Sequence, residues 1–167
     1  MKSSLLMNFS VDKEKKKINV EREFAAPLPV VWDAWTKSEL LDQWWAPKPW
    51  QAKTKSMDFR EGGSWIYAMV GPNGEEHWAI AEYKSITPQK SFTGVDAFCD
   101  KNGKIDETMP RSLWDVQFKE TGDSTMVFIE TKYDKLEDLE KIIEMGFQEG
   151  FTAGLENLDA LLLKLKS

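Results

Sequence analysis

Apolar side chains recur at spacings of three and four through residues 136–166: Leu136, Leu139, Ile143, Phe147, Phe151, Leu155, Leu158, Leu161, Leu162 and Leu165. On a helix they form one broad stripe. Glu137, Asp138, Lys141, Gln148, Glu149, Glu156 and Asp159 fall mostly on the opposite side. The spacing predicts one long terminal helix with a face that has to be covered. Gly146, Gly150 and Gly154 recur on that face at every fourth position. A glycine inside a helix costs roughly 1 kcal/mol relative to alanine, so glycines on a buried stripe mean either a very close backbone approach or missing side-chain volume. The second alternative leaves a pocket; the first leaves none.

What covers the helix is read from the rest of the chain. Residues 7–11 and 18–24 alternate apolar and polar, and the polar residues 12–17 suit a hairpin connection. Pro27 and Pro29 end the extended run. Residues 30–36 and 39–45 then read as two short helices, with Ser38 the N-cap of the second, and Ala46-Pro47-Lys48-Pro49 stops propagation. Residues 51–133 show no helical period. They carry β-rich runs at 53–59, 64–70, 77–86, 90–99, 112–120 and 125–133, separated by turn signals such as Gly62-Gly63, Pro72-Asn73-Gly74 and Lys101-Asn102-Gly103. The expected fold is α+β: a curved antiparallel sheet wrapped around a long C-terminal helix, with two short helices after the first strands. Each layer then removes the other's apolar face from water. One domain over residues 5–166 is expected, since no repeat or low-complexity linker interrupts the pattern.

At 167 residues the chain can bury a sizeable core without disulfides or a structural metal. Its net charge of −6 weighs against nucleic acid or an anionic membrane surface as a partner. The lysine-rich stretch at 13–17 includes Glu14 and reads as a solvated turn. Cys99 is the single cysteine, which permits a reducing compartment. Residues 1–8 make a poor export signal, and no stretch is apolar enough to span a bilayer. A cytoplasmic protein without membrane insertion is expected.

An ordered series of residues carries a family resemblance. It runs through Val31-Trp32-Asp33-Ala34-Trp35-Thr36, Leu40, Trp44-Trp45 and Pro47, then Asp58-Phe59-Arg60-Glu61-Gly62-Gly63-Ser64-Trp65, Met69 and Pro72-Asn73-Gly74, and ends at Met145-Gly146-Phe147, Gly150-Phe151, Leu155 and Leu158. This series resembles the activator of heat-shock protein 90 ATPase homologue-like family, part of the START-like (SRPBCC) superfamily, over residues 19–163. Phe151 stands where many members carry tryptophan after glycine, which keeps volume and aromaticity. The resemblance implies a helix-grip fold with a cavity between sheet and helix. It also implies a superfamily of lipid and sterol carriers, hormone receptors, aromatase or cyclase enzymes and a co-chaperone domain, so fold alone does not fix function. By the same resemblance the co-chaperone has an additional N-terminal domain without a counterpart in these residues.

The residues themselves favour binding over catalysis. Gly62-Gly63 lacks the lysine and Ser/Thr of a phosphate loop and reads as a turn or bulge. His77 is the single histidine, beside Glu75 and Glu76, and lacks the companions of a zinc set. Cys99 is followed by Asp100, which disfavours a thiolate. No cofactor and no metal are expected. If an enzyme exists here, its polar groups come from strand residues that project inward, His77, Glu82, Asp96 or Arg111, with Tyr67 or Tyr83 as hydroxyl donors.

Apolar walls are easier to assemble. Eight tryptophans make the ring content unusual. Trp65, Tyr67 and Met69 share one side of a strand, but Ile66, Ala68 and Val70 on the other side are apolar too, so concave and convex cannot be told apart without the register. The proposed ligand-binding set comprises these three with Trp78 and Trp114 from other strands; Phe147, Gly150, Phe151, Gly154 and Leu158 from the terminal helix; and Trp32, Trp35 and Trp45 at the mouth. The leading expectation is a monomer or dimer that holds a hydrophobic or aromatic small molecule. The alternatives are a chaperone-associated protein with a chaperone partner, and a cyclase- or dehydratase-like enzyme on a polyketide-like substrate.

Overall fold

A computed structural model describes residues 5–166. Part of the segment assessed as an export signal lies outside the described residues. The chain opens with β1 (Met7–Asp12) and β2 (Lys17–Phe24), followed by α1 (Leu28–Thr36) and α2 (Ser38–Leu41). Six strands come next: β3 (Gln51–Met57), β4 (Ser64–Val70), β5 (Glu76–Thr87), β6 (Ser91–Phe98), β7 (Ser112–Thr121) and β8 (Ser124–Lys132). It closes with α3 (Leu136–Glu144) and α4 (Phe147–Lys166). Among the described residues, no helix is long and apolar enough to cross a membrane.

All strands join one eight-stranded sheet in the order β1-β2-β8-β7-β6-β5-β4-β3. The meander from β3 to β8 is antiparallel throughout, and β8 returns to pair with β2, Val20 opposite Ile129. Alternation sets the inner face: Ile18, Val20, Arg22 and Phe24 on β2 and Thr125, Val127, Ile129 and Thr131 on β8 are all buried. Against this face pack Val31, Trp32 and Trp35 of α1 and Phe151, Leu155, Leu158, Leu161 and Leu162 of α4. The long helix therefore lies on the sheet, as the apolar stripe requires.

Three local expectations are corrected. The first concerns Pro29, which does not delay α1: the helix starts at Leu28 and places the proline in its first turn, where a missing N–H costs nothing. A second correction shortens α2 to Ser38–Leu41, with Lys37 rather than Ser38 at the N-cap position and no side-chain cap. Residues 42–46 turn instead, because the two adjacent indoles bond in different places: Trp44 Nε1 donates to Ala34 O at 2.9 Å and Trp45 Nε1 to Tyr67 Oη at 2.9 Å.

The third correction is the largest. The terminal stripe is two helices, and Gly146 is the break, with φ +90°. Its N–H donates to Ile143 O at 3.0 Å while Met145 N–H closes α3 on Lys141 O at 3.0 Å. A left-handed residue one step past a helix end is the ordinary glycine stop; Gly146 makes no close packing contact, and it borders the cavity beside the helix junction. Gly154 has the close approach: a Cβ there would lie 3.3 Å from both Trp44 O and Trp45 O. Asn157, on the next turn, donates from Nδ2 to Ala46 O at 3.0 Å and Trp44 O at 3.4 Å. Gly150 has the open space, since its Cβ would meet only Pro47 Cγ at 3.8 Å. Each of the three glycines thus does something different.

Candidate functional site

The space beside Gly150 belongs to a cavity of about 260 Å³ between the concave sheet face and the α3–α4 junction. Register decides which strand residues reach it. Asp96 pairs with Ala81 on one side and Ser112 on the other, and Gly94 pairs with Tyr83 and Trp114. These positions share the inner face with Tyr67, which pairs with Ala79. Pro47 and Trp45 from the turn after α2, and Ile142, Met145 and Phe147 around the helix break, close the other side. A smaller cavity of about 40 Å³ lies deeper, among Trp35, Trp65, Tyr83 and Val116. Trp45, Tyr67, Asp96 and Trp114 border both.

Eight of the residues proposed from sequence border the larger cavity: Trp45, Tyr67, Met69, Trp78, Trp114, Phe147, Gly150 and Phe151. Trp78 differs from the rest, because pairing with Ala68 puts it on the convex parity and its indole N–H donates to Glu76 Oε1 at 3.3 Å. Trp35 and Trp65 line the small cavity instead. Trp32 stands edge-on to Phe59, Phe92 and Phe118 in the core, so neither α1 tryptophan is at the mouth. Leu158 is fully buried, and Gly154 faces the backbone of the Trp44–Trp45 turn.

Pro47, Ala79, Phe98, Pro110, Ser112, Tyr133, Ile142 and Met145 also line the wall. Sequence reasoning missed them. Tyr133 could have been found, since it continues the inward parity of Ile129 and Thr131; Pro110 and Met145 depend on tertiary placement and carry no local signal.

Few polar groups face this space. Tyr67 accepts the Trp45 indole N–H, and Ser112 Oγ accepts that of Trp114 at 3.0 Å. Burial pushes the Asp96 carboxyl up to about 7, against the pull of the Ala97 backbone N–H. Burial first, and the Asp96 charge second, hold the Tyr67 and Tyr83 hydroxyls well above the ordinary phenol range. Burial likewise raises Tyr133 to about 12, with Asp96 adding to it. All three stay protonated near neutral pH.

The other polar candidates lie at the rim or outside the cavity. His77 is exposed at the rim and packs edge-on against Trp50, ring centroids 5.2 Å apart. Arg111 is exposed and pairs with Glu107, and Glu82 pairs with Val95 on the convex parity. Cys99 is a half-buried thiol raised by burial first and Asp100 second. Gly62-Gly63 is a turn tied to β5, with Gly62 N–H donating to Tyr83 O at 3.0 Å and Tyr83 N–H to Gly63 O at 2.9 Å. Among the described residues, no three His, Cys, Asp or Glu side chains converge as metal ligands would. Of the ionisable groups considered from sequence, the structure brings Asp96, Tyr67 and Tyr83 inward.

The arrangement has relatives among solved structures. A crystal structure of a Mycobacterium smegmatis protein superposes with a TM-score of 0.87 at 26% identity, covering 96% of this chain and 99% of that one. A solution structure of an Arthrobacter aurescens protein gives 0.89 at 26% identity, covering 94% and 91%. A Staphylococcus epidermidis protein is 30% identical with a TM-score of 0.82, covering 93% and 94%. No curated protein matches the chain. The family model described as Activator of Hsp90 ATPase homolog 1-like protein matches residues 25–163.

Proposed function

The chain belongs to the Activator of Hsp90 ATPase homolog 1-like family, and on that footing we propose that it binds a hydrophobic or aromatic small molecule in the cavity between sheet and C-terminal helices. Family membership supports a ligand-binding domain; the ligand class is our reading. The observation that carries it is the Gly150 cavity, whose volume of about 260 Å³ lies between packed layers instead of being filled by side chains. It falls just under the range of about 300–1,000 Å³ of drug-sized sites, which suits a guest of one or two rings. Burying about 200 Å² of apolar surface at about 25 cal/mol per Å² gains about 5 kcal/mol. That corresponds to submillimolar affinity before any ordering cost.

Gly150→Leu tests the site. Helix propensity favours leucine over glycine by roughly 1 kcal/mol, and the new side chain points into the cavity. Calorimetric titration with aromatic probes should show binding to the natural chain and a loss of at least about tenfold in the variant, with the melting temperature unchanged or raised. Equal binding by the two proteins would remove this cavity as the site. Native mass spectrometry of protein taken from cells adds a search for a co-purified guest. The lone Cys99 accords with a cytoplasmic setting.

The family description favours a second reading, a chaperone-associated protein. Its required positive result is stimulation of chaperone ATP hydrolysis by this chain alone.

A further inference from the structure

The larger cavity has one carboxyl among its lining residues and no permanently charged cation. Asp96 is the only carboxylate among its lining residues, and no lysine or arginine lines it. The surrounding surface is mostly ring, with the Trp114 centroid 5.9 Å from Trp45, 6.3 Å from Phe147 and 5.9 Å from Phe151. No salt bridge involves Asp96 among the described residues. Buried charges in proteins are normally paired, because desolvation otherwise favours the neutral form. Here the described residues supply the Ala97 backbone N–H and no ion-pair partner, and Asp96 lines the empty space. Aromatic faces carry a negative quadrupole that attracts cations and does nothing for anions.

We propose that the natural guest is a small amine bound as its ammonium ion, with the nitrogen against Asp96 and the apolar body among Trp45, Trp114, Phe147 and Phe151. This rests on the cavity reading above and narrows it to one ligand chemistry. An ammonium gives the cavity-facing carboxylate the counter-ion that the fold omits. A guest carboxylate would instead meet like charge in a weakly solvated site, where repulsion is strong.

Binding of this kind depends on pH. Asp96, raised to about 7, is largely protonated in mildly acidic solution and charged in mildly basic solution. The groups that sense it are Tyr67 on β4, Tyr83 on β5, Cys99 just past β6 and Tyr133 after β8, all with raised proton affinities, so they stay neutral across this interval. His77, exposed at the rim, borders the same cavity from β5. A His77→Gln background therefore isolates Asp96.

The experiment titrates the full chain calorimetrically with tryptamine, tryptophol and indole-3-propionate, which share one ring system and differ in ammonium, hydroxyl or carboxylate. At about pH 8, tryptamine should bind about tenfold tighter than tryptophol, with indole-3-propionate weakest. Lowering the solution to about pH 5.5 should erase the tryptamine advantage and leave tryptophol unchanged, in the natural chain and in His77→Gln alike. Asp96→Asn should bring tryptamine to the level of tryptophol, whose retained binding shows that the variant is folded. If tryptophol binds but tryptamine is no tighter, or indole-3-propionate is best, the amine proposal is overturned and the cavity reading stands. If none of the three binds, both are overturned.

Discussion

A desolvated carboxyl at the cavity wall leaves a mark on stability that is separable from any ligand. Asp96 has an ordinary carboxylate value of 3.8 in the unfolded chain and about 7 in the fold, so the native state holds its proton more tightly. Between those values the native state carries the extra proton, and stability falls as pH rises. Below them it is level, and above them the loss is complete. Asp96→Asn removes the titration. It should stabilise the protein on the order of 2 kcal/mol at about pH 8 and change little at about pH 4, measured as urea midpoints across that series. A flat difference between the two proteins would show that Asp96 is not desolvated. Asp96 itself was legible as one of several inward strand candidates, but its isolation was not. That required knowing that His77 stays at the rim, that Arg111 turns to Glu107 and that Glu82 faces outward.

Between elements, α4 is held to the sheet by more than its stripe. Arg22 projects from β2 into the core at 7% exposure, pairs with Asp159 of α4 and donates from Nη1 to Glu23 O at 2.6 Å. Its guanidinium lies 4.9 Å above the Phe24 ring. Removing one member of a buried pair strands the other, at about 3–5 kcal/mol, whereas replacing both with apolar residues is often neutral. Asp159→Ala should therefore cost about 3 kcal/mol in chemical denaturation, and Arg22→Met with Asp159→Leu much less. A similar loss in both would show that shape, and not charge, sets the cost.

Elements also mark where sequence reading ends. The strands were legible because alternation and turn residues agree, as in β4, where the expected range and the observed Ser64–Val70 coincide. The break at Gly146 was not legible, because apolar spacing continues through Ile143, Phe147 and Phe151 while φ is invisible to periodicity. Nor was the inner face of β4, where both parities are apolar. Only pairing with β5 distinguishes Trp65 and Tyr67 from Ile66 and Ala68.

Across the whole molecule, the first hairpin joins the sheet through β2 beside β8, and residues of α3 and α4 close the cavity over strands from the middle. Among the described residues, one buried cluster joins Ile18, Trp65 and Leu162 across this span. Unfolding in urea should accordingly be one transition, with tryptophan fluorescence and far-ultraviolet circular dichroism superimposable. Separate midpoints would mean that the first hairpin or the terminal helices come away independently. The family match begins at residue 25, after β2, so the hairpin is the piece whose integration this measurement probes most directly.

Trp45, Tyr67, Asp96 and Trp114 border both chambers and act as a bulkhead of side chains between them. The bond from the Trp45 indole to the Tyr67 hydroxyl latches it, and such a bond is worth about 1 kcal/mol net. Joining the compartments would break that bond and also the ring contacts of Trp45 with Trp114 and Phe151 and of Tyr67 with Trp65. The longest guest this interior admits is therefore governed by how these side chains turn, not by the reach of its backbone.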